Sequence, residues 1–264
     1  MTWISHKRNF LTPTQRPSSA PPLISATEDT DLDFAVQKLI YIEDSVRKMI
    51  KEMKKYLSAI GSLDEADQHL TTNLINYDLV HVSKDFLKIV EDYHSVTTQV
   101  GKSVQDLVLH CEKTFIEPLK KLRDEFSVIS VELAKREELV TNWKTCYSRM
   151  KKLQEKKDKT AHYIAKLERE RDLEESTAKK LKNFHSELLQ ELQTFLNKRL
   201  DYIKPSVHAL IMIHLEHYGS TTNTFTHIMP SESVSRTKIS DEEFQQLIST
   251  QVNRIKGLTI VKDH

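Results

Sequence analysis

The segment between Pro118 and Pro205 contains neither glycine nor proline, and apolar side chains recur through it at intervals of seven. An interval of seven places side chains on one face of an α-helix that packs against other helices. One ladder consists of Leu119, Phe126, Leu133, Val140 and Tyr147, and the other of Phe115, Leu122, Ile129, Arg136, Trp143 and Met150. Only Arg136 breaks the apolar pattern, so this segment predicts long helices buried against one another.

The same periodicity predicts three long helices. The first runs from about Asp31 into the high 70s, the second from Ser83 to about Leu153, and the third over residues 161–218. The only candidate reversal after Pro118 is residues 156–160, so the second and third helices form an antiparallel hairpin with arms of roughly 60–80 Å. We predict an all-α fold of three long, kinked, antiparallel helices.

Two prolines lie inside these helices, at Pro118 and Pro205. Each removes a backbone donor and clashes with the preceding turn, so we expect a bend at each. The alternative is that a helix stops at each proline. We favour bends, because the spacing of seven continues from Phe115 to Leu122.

The carboxyl-terminal part of the chain is polar. We expect Gly219 to end the third helix and residues 220–240 to form a mobile loop rich in serine and threonine. A short helix then covers about residues 241–255, with Ser240 as its cap and Glu243 at the third helical position. Its apolar face would consist of Phe244, Leu247, Ile248 and Val252.

Composition excludes several classes of protein. Four glycines and seven prolines among 264 residues are too few turn formers for a barrel, a sandwich or a doubly wound sheet. The net charge of +1 gives no general attraction to nucleic acid. There is no apolar run of 18 residues and no signal peptide, so we expect a cytoplasmic protein. The two cysteines, Cys111 and Cys146, are expected to be buried free thiols.

No arrangement of residues indicates catalysis. The chain has no glycine-rich phosphate loop, and His110-Cys111 has no partner at a recognisable spacing. His214 and His217 are three residues apart, but we interpret them as surface or interface residues. We therefore predict a protein that is not an enzyme, with no cofactor and no metal site.

Positive charge is concentrated at the end of the predicted hairpin. Residues 144–159 contain seven basic and two acidic residues, and Arg149, Lys152, Lys156 and Lys159 share one stripe. Lys166, Arg169 and Arg171 would join them from the third helix. A solvated helix face is the plain alternative. An anionic membrane would attract such a tip by roughly 1 kcal/mol per Lys or Arg, whereas nucleic acid would need more aromatic residues for base stacking.

The first eleven residues form a second candidate membrane contact. Wound as a helix, they place Trp3, Ile4, Lys7, Phe10 and Leu11 on one face, with Arg8 beside it. Such a segment can fold when it adsorbs at a bilayer, although a disordered terminus is the alternative. Residues 12–30 hold four of the seven prolines and are interpreted as a linker rich in proline and serine.

Several short motifs resemble one family. These are the opening MTWI, Asp33-Phe34, residues 52–55 (EMKK), residues 116–121 (IEPLKK), residues 199–202 (RLDY) followed by Pro205-Ser206 and Leu210-Ile211, and residues 258–261 (LTIV). In this order along three long helices, they resemble the amphiphysin/Rvs class of BAR domains with an N-terminal amphipathic helix. The similarity is greatest to the bridging integrator 3 type, which consists of little beyond the BAR domain.

The resemblance implies a six-helix crescent formed by two chains, either a homodimer or a heterodimer with another BAR protein. It implies binding of anionic phospholipid membranes through a basic concave face and tips, with insertion of the N-terminal helix. It also implies roles in curvature, endocytosis and actin organisation, and thus actin-regulatory partners and a peripheral place on membrane and cytoskeleton. The residues carried over at the tip are Lys151, Lys152, Lys156, Lys157 and Lys159.

The domain organisation follows from these points. We expect the amphipathic helix at residues 1–11, the linker at 12–30, the BAR domain at 31–219, and a polar loop with a short helix at 220–264. Phe115, Leu119, Leu122 and Phe126 are expected in the core near the dimer centre. Residues 12–30 and 220–240 are longer than in the family, and no C-terminal SH3 domain is expected. The alternative function is a coiled-coil adaptor that dimerises and binds proteins without remodelling membranes.

Overall fold

The computed structural model describes residues 20–156, 160–228 and 240–258, and these ranges contain helices and no strand. The prediction of an all-α chain of long helices is confirmed. The helices are α1 (Ala26–Asn76), α2 (Asp78–His81), α3 (Lys84–Cys111), a π-helical turn (Glu112–Ile116), α4 (Glu117–Glu155), α5 (Ala161–Asn197), α6 (Arg199–Thr226) and α7 (Asp241–Lys256).

Helix α1 begins at Ala26 rather than near Asp31, so the last residues of the predicted linker are helical. The reason is a reciprocal cap. The Glu28 backbone N–H donates to Ser25 Oγ at 3.2 Å, and the Ser25 backbone N–H donates to Glu28 Oε2 at 3.2 Å. This capping box satisfies two amide groups that a helix end otherwise leaves unpaired. It also lowers the pKa of the Glu28 carboxyl, through the hydrogen bonds from Ser25.

The chain remains helical through Pro118, so the alternative in which a helix stops there is wrong. The turn just before it is π-helical, with the Glu117 N–H donating to the Glu112 carbonyl. A proline cannot donate to the preceding turn and crowds it. A π-helical turn is wider than an α-helical one, and we attribute its position to this crowding. The bend itself stays a prediction.

The predicted third helix consists of two helices, because an interruption lies at Lys198. Lys198 has φ −89° and ψ 2°, and its N–H donates to the Thr194 carbonyl. Pro205 lies inside α6 and does not end it. The alternative in which the helix stops at Pro205 is therefore wrong, and the expected bend there stays a prediction. The interruption at Lys198, seven positions earlier in the chain, was not predicted.

The prediction that Gly219 ends the third helix is wrong, since α6 continues to Thr226. The threonines that suggested a loop are compatible with the helix. The hydroxyls of Thr222 and Thr224 donate to the carbonyls of Tyr218 and Ser220, at 2.8 and 2.9 Å, one turn back. The rest of the predicted loop, residues 229–239, lies outside the described residues.

The helices are grouped into two compact units. Unit 1 contains the described residues of 1–61 and 106–215, and unit 2 those of 62–105 and 216–264. The main core of unit 1 is contributed by α1, the end of α3, the π turn, α4, α5 and α6. Its least exposed large side chains are Leu32, Leu39, Leu107, Ile116, Leu119, Phe126 and Leu133.

Unit 2 has a smaller set of buried side chains with two buried polar pairs. Thr71 Oγ1 lies 3.1 Å from His94 Nδ1, and Ser103 Oγ lies 2.9 Å from His217 Nδ1. His217 is buried, which corrects its interpretation as a surface residue. Its hydrogen bond explains how a polar ring is accommodated inside the protein.

Helix α7 has the predicted cap. The Glu243 N–H donates to Ser240 Oγ at 3.2 Å, and the Ser240 N–H donates to Glu243 Oε2 at 3.1 Å. None of its residues is buried. Packing therefore contributes little to its stability, and the cap should matter more than it does in α1.

Replacing Ser240 with alanine is expected to loosen α7 alone, because the substitution costs about 0.5–2 kcal/mol of helix stability. Amide hydrogen exchange of residues 243–252 in the full chain measures this loss. The control is Ser249→Ala, an exposed position inside α7, which should leave exchange unchanged or slow it. Equal protection in the S240A variant and the wild type would show that α7 does not depend on its cap.

Candidate functional site

The predicted basic tip lies where α4 ends and α5 begins. Arg149, Lys152 and Lys156 are exposed near the end of α4, Lys166 is exposed on α5, and Lys151 is half-buried. We call these five residues the hairpin-end basic group. Lys157 and Lys159 lie outside the described residues, as do Trp3, Ile4, Lys7, Arg8, Phe10 and Leu11 of the predicted N-terminal helix.

Helix α5 is joined to α4 at this end of the hairpin. The Tyr163 hydroxyl donates to the Leu153 carbonyl, and the Lys156 N–H donates to the same carbonyl at 3.2 Å. The Tyr163–Leu153 hydrogen bond therefore joins the start of α5 to the end of α4. Among the described residues, no carboxylate forms an ion pair with the hairpin-end basic group. Its charges are therefore available to an external anionic surface.

A second basic group lies on α1 and was missed in the sequence. It consists of Arg47, Lys48, Lys51, Lys54 and Lys55, all exposed. We call it the α1 basic group. The local composition indicates this group, since residues 47–55 contain five basic residues and one acidic residue. Met49 and Met53 belong to an apolar seam on the same helix, and because of this seam we interpreted the segment only as a packing face.

Two members of the α1 basic group have acidic neighbours on their own helix. Arg47 Nη2 lies 2.5 Å from Glu43 Oε1, and Lys55 Nζ lies 2.9 Å from Glu52 Oε1. Glu43 is buried, whereas the Lys55–Glu52 pair is exposed, and an exposed pair one helical turn apart is worth only a few tenths of a kcal/mol. These two pairs leave Lys48, Lys51 and Lys54 without an ion-pair partner among the described residues, so the patch keeps a positive surplus.

The four predicted core positions are all buried within a single chain. Phe115, Leu119, Leu122 and Phe126 lie in the main core of unit 1, with exposures between 0 and 8%. The Phe126 ring packs edge to face on Phe195, with centroids 5.8 Å apart. Such burial does not require a second chain, so their place near a dimer centre stays a prediction.

Unit 1 also presents an uncovered apolar surface. A groove of about 570 Å³ lies between α4, α5 and α6, where Val128, Ile129 and Phe195 line it beside Tyr202. Val128 is 58% exposed. Further apolar side chains are exposed nearby in sequence, namely Val131, Leu200, Ile211, Met212 and Leu215. Large exposed apolar surfaces on a folded chain mark sites of association.

This helical fold matches one known family. A model of the BAR domain family matches residues 24–231. The chain belongs to the BAR domain family. The match covers all of α1 through α6, so it includes both basic groups and the uncovered groove. It also extends past Gly219, which agrees with the observed end of α6 at Thr226.

Relatives of this BAR protein span nearly its whole length. The Bridging integrator 3 homolog of Xenopus laevis is 26% identical over 241 residues, which cover 91% of this chain and 94% of the relative. The Regulator of cytoskeleton and endocytosis RVS161 of Candida albicans is 22% identical over 249 residues, 90% of each chain. The resemblance to the bridging integrator and Rvs type is confirmed.

A solved structure supports the same fold. The crystal structure of a BAR protein from Galdieria sulphuraria superimposes with a TM-score of 0.57 at 14% identity, covering 78% of this chain and 98% of that one. At this identity the likeness extends to the fold alone. It is the family match and the relatives that place this BAR protein in a class of membrane-curvature proteins, while its membrane-binding residues have to be argued from its own surface.

The Cys111 thiol and the acidic and histidine side chains of the described ranges bear on catalysis and metal binding. Burial raises the pKa of the Cys111 thiol, which disfavours the nucleophilic thiolate. In the described part of the chain, no three His, Cys, Asp or Glu side chains are grouped to hold a metal ion. The helices described here include none with the length and apolar character needed to cross a bilayer.

Proposed function

We propose that this BAR protein forms a dimer that binds anionic membranes and senses or generates their curvature. The observation that carries the proposal is the hairpin-end basic group, in which Arg149, Lys152, Lys156 and Lys166 are exposed and form no ion pair with a described residue. Each Lys or Arg close to an anionic surface contributes about 1 kcal/mol to attraction. Lys157 and Lys159 belong to the same charged segment by sequence and would add to it.

The α1 basic group supports the proposal independently. Lys48, Lys51 and Lys54 lie on exposed faces of α1, in the same compact unit as the hairpin. A dimer would carry two copies of each group, so a curved bilayer would meet several cationic patches at once. Weak contacts made together raise the overall affinity well above that of one patch.

The dimer is supported by the uncovered apolar groove of unit 1. A second copy is the occupant that family membership suggests, and Val128 and Tyr202 would then be covered. In this arrangement the two chains form the six-helix crescent of the family. We take the BAR body of each chain to extend from about residue 24, where the family match begins, to Thr226, where α6 ends, instead of the range 31–219 expected from the sequence.

The first eleven residues add the second mode of contact. Trp3, Ile4 and Phe10 would enter the headgroup boundary, and Lys7 would extend its charge toward the headgroups. Residues 12–25 would link this segment to α1. The relative named for cytoskeleton and endocytosis suggests the cellular setting, which is the cytoplasmic side of membranes undergoing endocytosis, with actin-regulatory partners.

Co-sedimentation with vesicles tests this function. We expect the full chain to pellet with vesicles rich in phosphatidylserine at low salt, to pellet less as salt increases, and to stay in solution with neutral lipid. Electron microscopy of the pelleted vesicles then tests for tubules. Failure to pellet at low salt would contradict membrane binding and favour the adaptor alternative, in which the basic groups contact proteins.

A further inference from the structure

The start of α1 packs on the α4–α5 hairpin through a small apolar cluster separate from the main core. Ile24, Trp143 and Leu181 are its buried members, with exposures of 7, 4 and 1%. Leu23 and Ala20 pack against them. The Trp143 indole N–H donates to Glu174 Oε1 at 2.7 Å, so the ring is held between α4 and α5. The chain just before α1 is therefore seated on the hairpin.

Beside this cluster lies a group of charged and titratable side chains that includes the buried His185 and the largely buried Arg136. Arg136 on α4, whose side chain is 11% exposed, forms ion pairs with Asp29 on α1 and with its neighbour Glu137, whose side chains are about half exposed. Arg136 Nε is buried and has no hydrogen-bond partner among the described residues. The one residue that interrupts the heptad ladder is thus the residue that holds the first turn of α1.

His185 on α5 completes the group, and its position is unusual for a histidine. The ring is 2% exposed, and neither ring nitrogen forms a well-aligned hydrogen bond with a described residue. Burial lowers its pKa, and the Arg136 guanidinium lowers it further. The carboxylates of Asp29 and Glu28 and the Glu28 backbone act in the opposite direction but are outweighed. A proton on this ring would place a second cation beside Arg136 without water around it.

We infer that residues 20–31, which precede the core residue Leu32, are a pH-sensitive latch. The latch stays docked on α4 and α5 while His185 is neutral and is released when His185 gains a proton. Release frees the apolar contacts of Ile24 and exposes His185 to water. If residues 1–11 bind membranes, as proposed above, release also lengthens their tether to the BAR body.

The direction of the pH effect follows from the sign of the shift. A histidine with a lowered pKa in the docked state binds fewer protons than in the released state, so docking weakens as pH falls below about 6.5. Two carboxyl groups near the latch have opposite effects. Burial raises the pKa of Asp33, which favours docking as pH falls, whereas the hydrogen bonds from Ser25 lower the pKa of Glu28, which weakens docking as pH falls. Of these three groups, only His185 has an ordinary pKa between 5.5 and 7.5.

Hydrogen exchange of the full chain without lipid tests the latch. After correction for intrinsic exchange rates, protection of residues 25–31 should fall by up to about tenfold between pH 7.5 and 5.5, since pH 5.5 is about one unit below the pKa of a free histidine. Residues 119–133 in the main core should keep their protection. His185→Leu should remove the pH dependence, while His162→Leu, at an exposed position on the same helix, should retain it.

Asp29→Asn provides a second test in case His185→Leu does not fold. Asp29→Asn removes the ion-pair partner that Arg136 has on α1 and leaves Glu137, so residues 25–31 should lose protection at both pH values and keep the response to pH. Unchanged protection of wild-type residues 25–31 between pH 7.5 and 5.5 would overturn the inference. So would an equal fall in H185L, or tighter docking at pH 5.5. Because no lipid is present, these results are independent of the proposed membrane binding.

Discussion

Reversing the charge of four lysines at the hairpin end is expected to abolish binding to anionic vesicles at about 0.15 M salt and to leave the helices intact. The four are Lys152, Lys156, Lys157 and Lys159. Residues 144–159 would change from seven basic and two acidic residues to three basic and six acidic residues. Losing about 1 kcal/mol for each of four cations weakens binding roughly a thousandfold, and repulsion from the new carboxylates adds to this.

The control must change net charge by the same amount at another place. Lys84, Lys88, Lys102 and Lys204 are exposed and belong to neither basic group. Their replacement with glutamate should leave most of the vesicle binding, because charges farther from the membrane than about 8 Å are screened at this salt concentration. Circular dichroism and size exclusion check that both variants fold. If the hairpin-end variant still pellets like the wild type, the tip is assigned wrongly.

A companion variant asks whether the α1 basic group shares this role. Replacing Lys48, Lys51 and Lys54 with glutamate removes the three members of the group that have no ion-pair partner among the described residues. This variant should weaken vesicle binding in addition to any effect at the hairpin end. Because the two groups lie on different helices, their effects on binding free energy should add. A variant at α1 that binds normally would confine the membrane contact to the hairpin end and residues 1–11.

Local periodicity predicted much of this fold, because burial along a helix repeats with a known spacing. Leu119, Phe126 and Leu133 are spaced by seven in the sequence and are 0, 2 and 0% exposed in the structure. The capping box of α7 could also be read from Ser240 and Glu243, since both partners lie three residues apart. Patterns of this kind depend only on neighbours in the sequence.

The features that were missed depend on residues far apart or on competing local signals. Arg136 appeared as an isolated interruption of the ladder because its partner, Asp29, is 107 positions away. The bond between Ser103 and His217 joins residues 114 positions apart. Pro21 and Pro22 come just before Ser25 and favoured the prediction of a linker. The cap that Ser25 forms with Glu28, three residues later, was therefore not predicted.

Replacing Leu119 with aspartate is expected to abolish the folded dimer. The side chain is fully buried among α1, α4 and α5 residues of the main core, so the variant leaves a cavity and places a carboxylate there. Large-to-small core substitutions cost about 2–5 kcal/mol, and burying an unpaired polar or charged group costs more. Since total stability is about 5–15 kcal/mol, most of it would be lost. Phe126→Asp should behave in the same way.

Size exclusion combined with circular dichroism distinguishes core from dimer interface. Val128 lies on the same helix as Leu119 but is 58% exposed and lines the uncovered groove. Val128→Asp should keep its helical content and elute as a monomer if a second copy covers the groove, whereas Leu119→Asp should aggregate or lose helix. A soluble, unaltered dimer of L119D would refute its place in the core, and an unaltered dimer of V128D would place the dimer contact on another face.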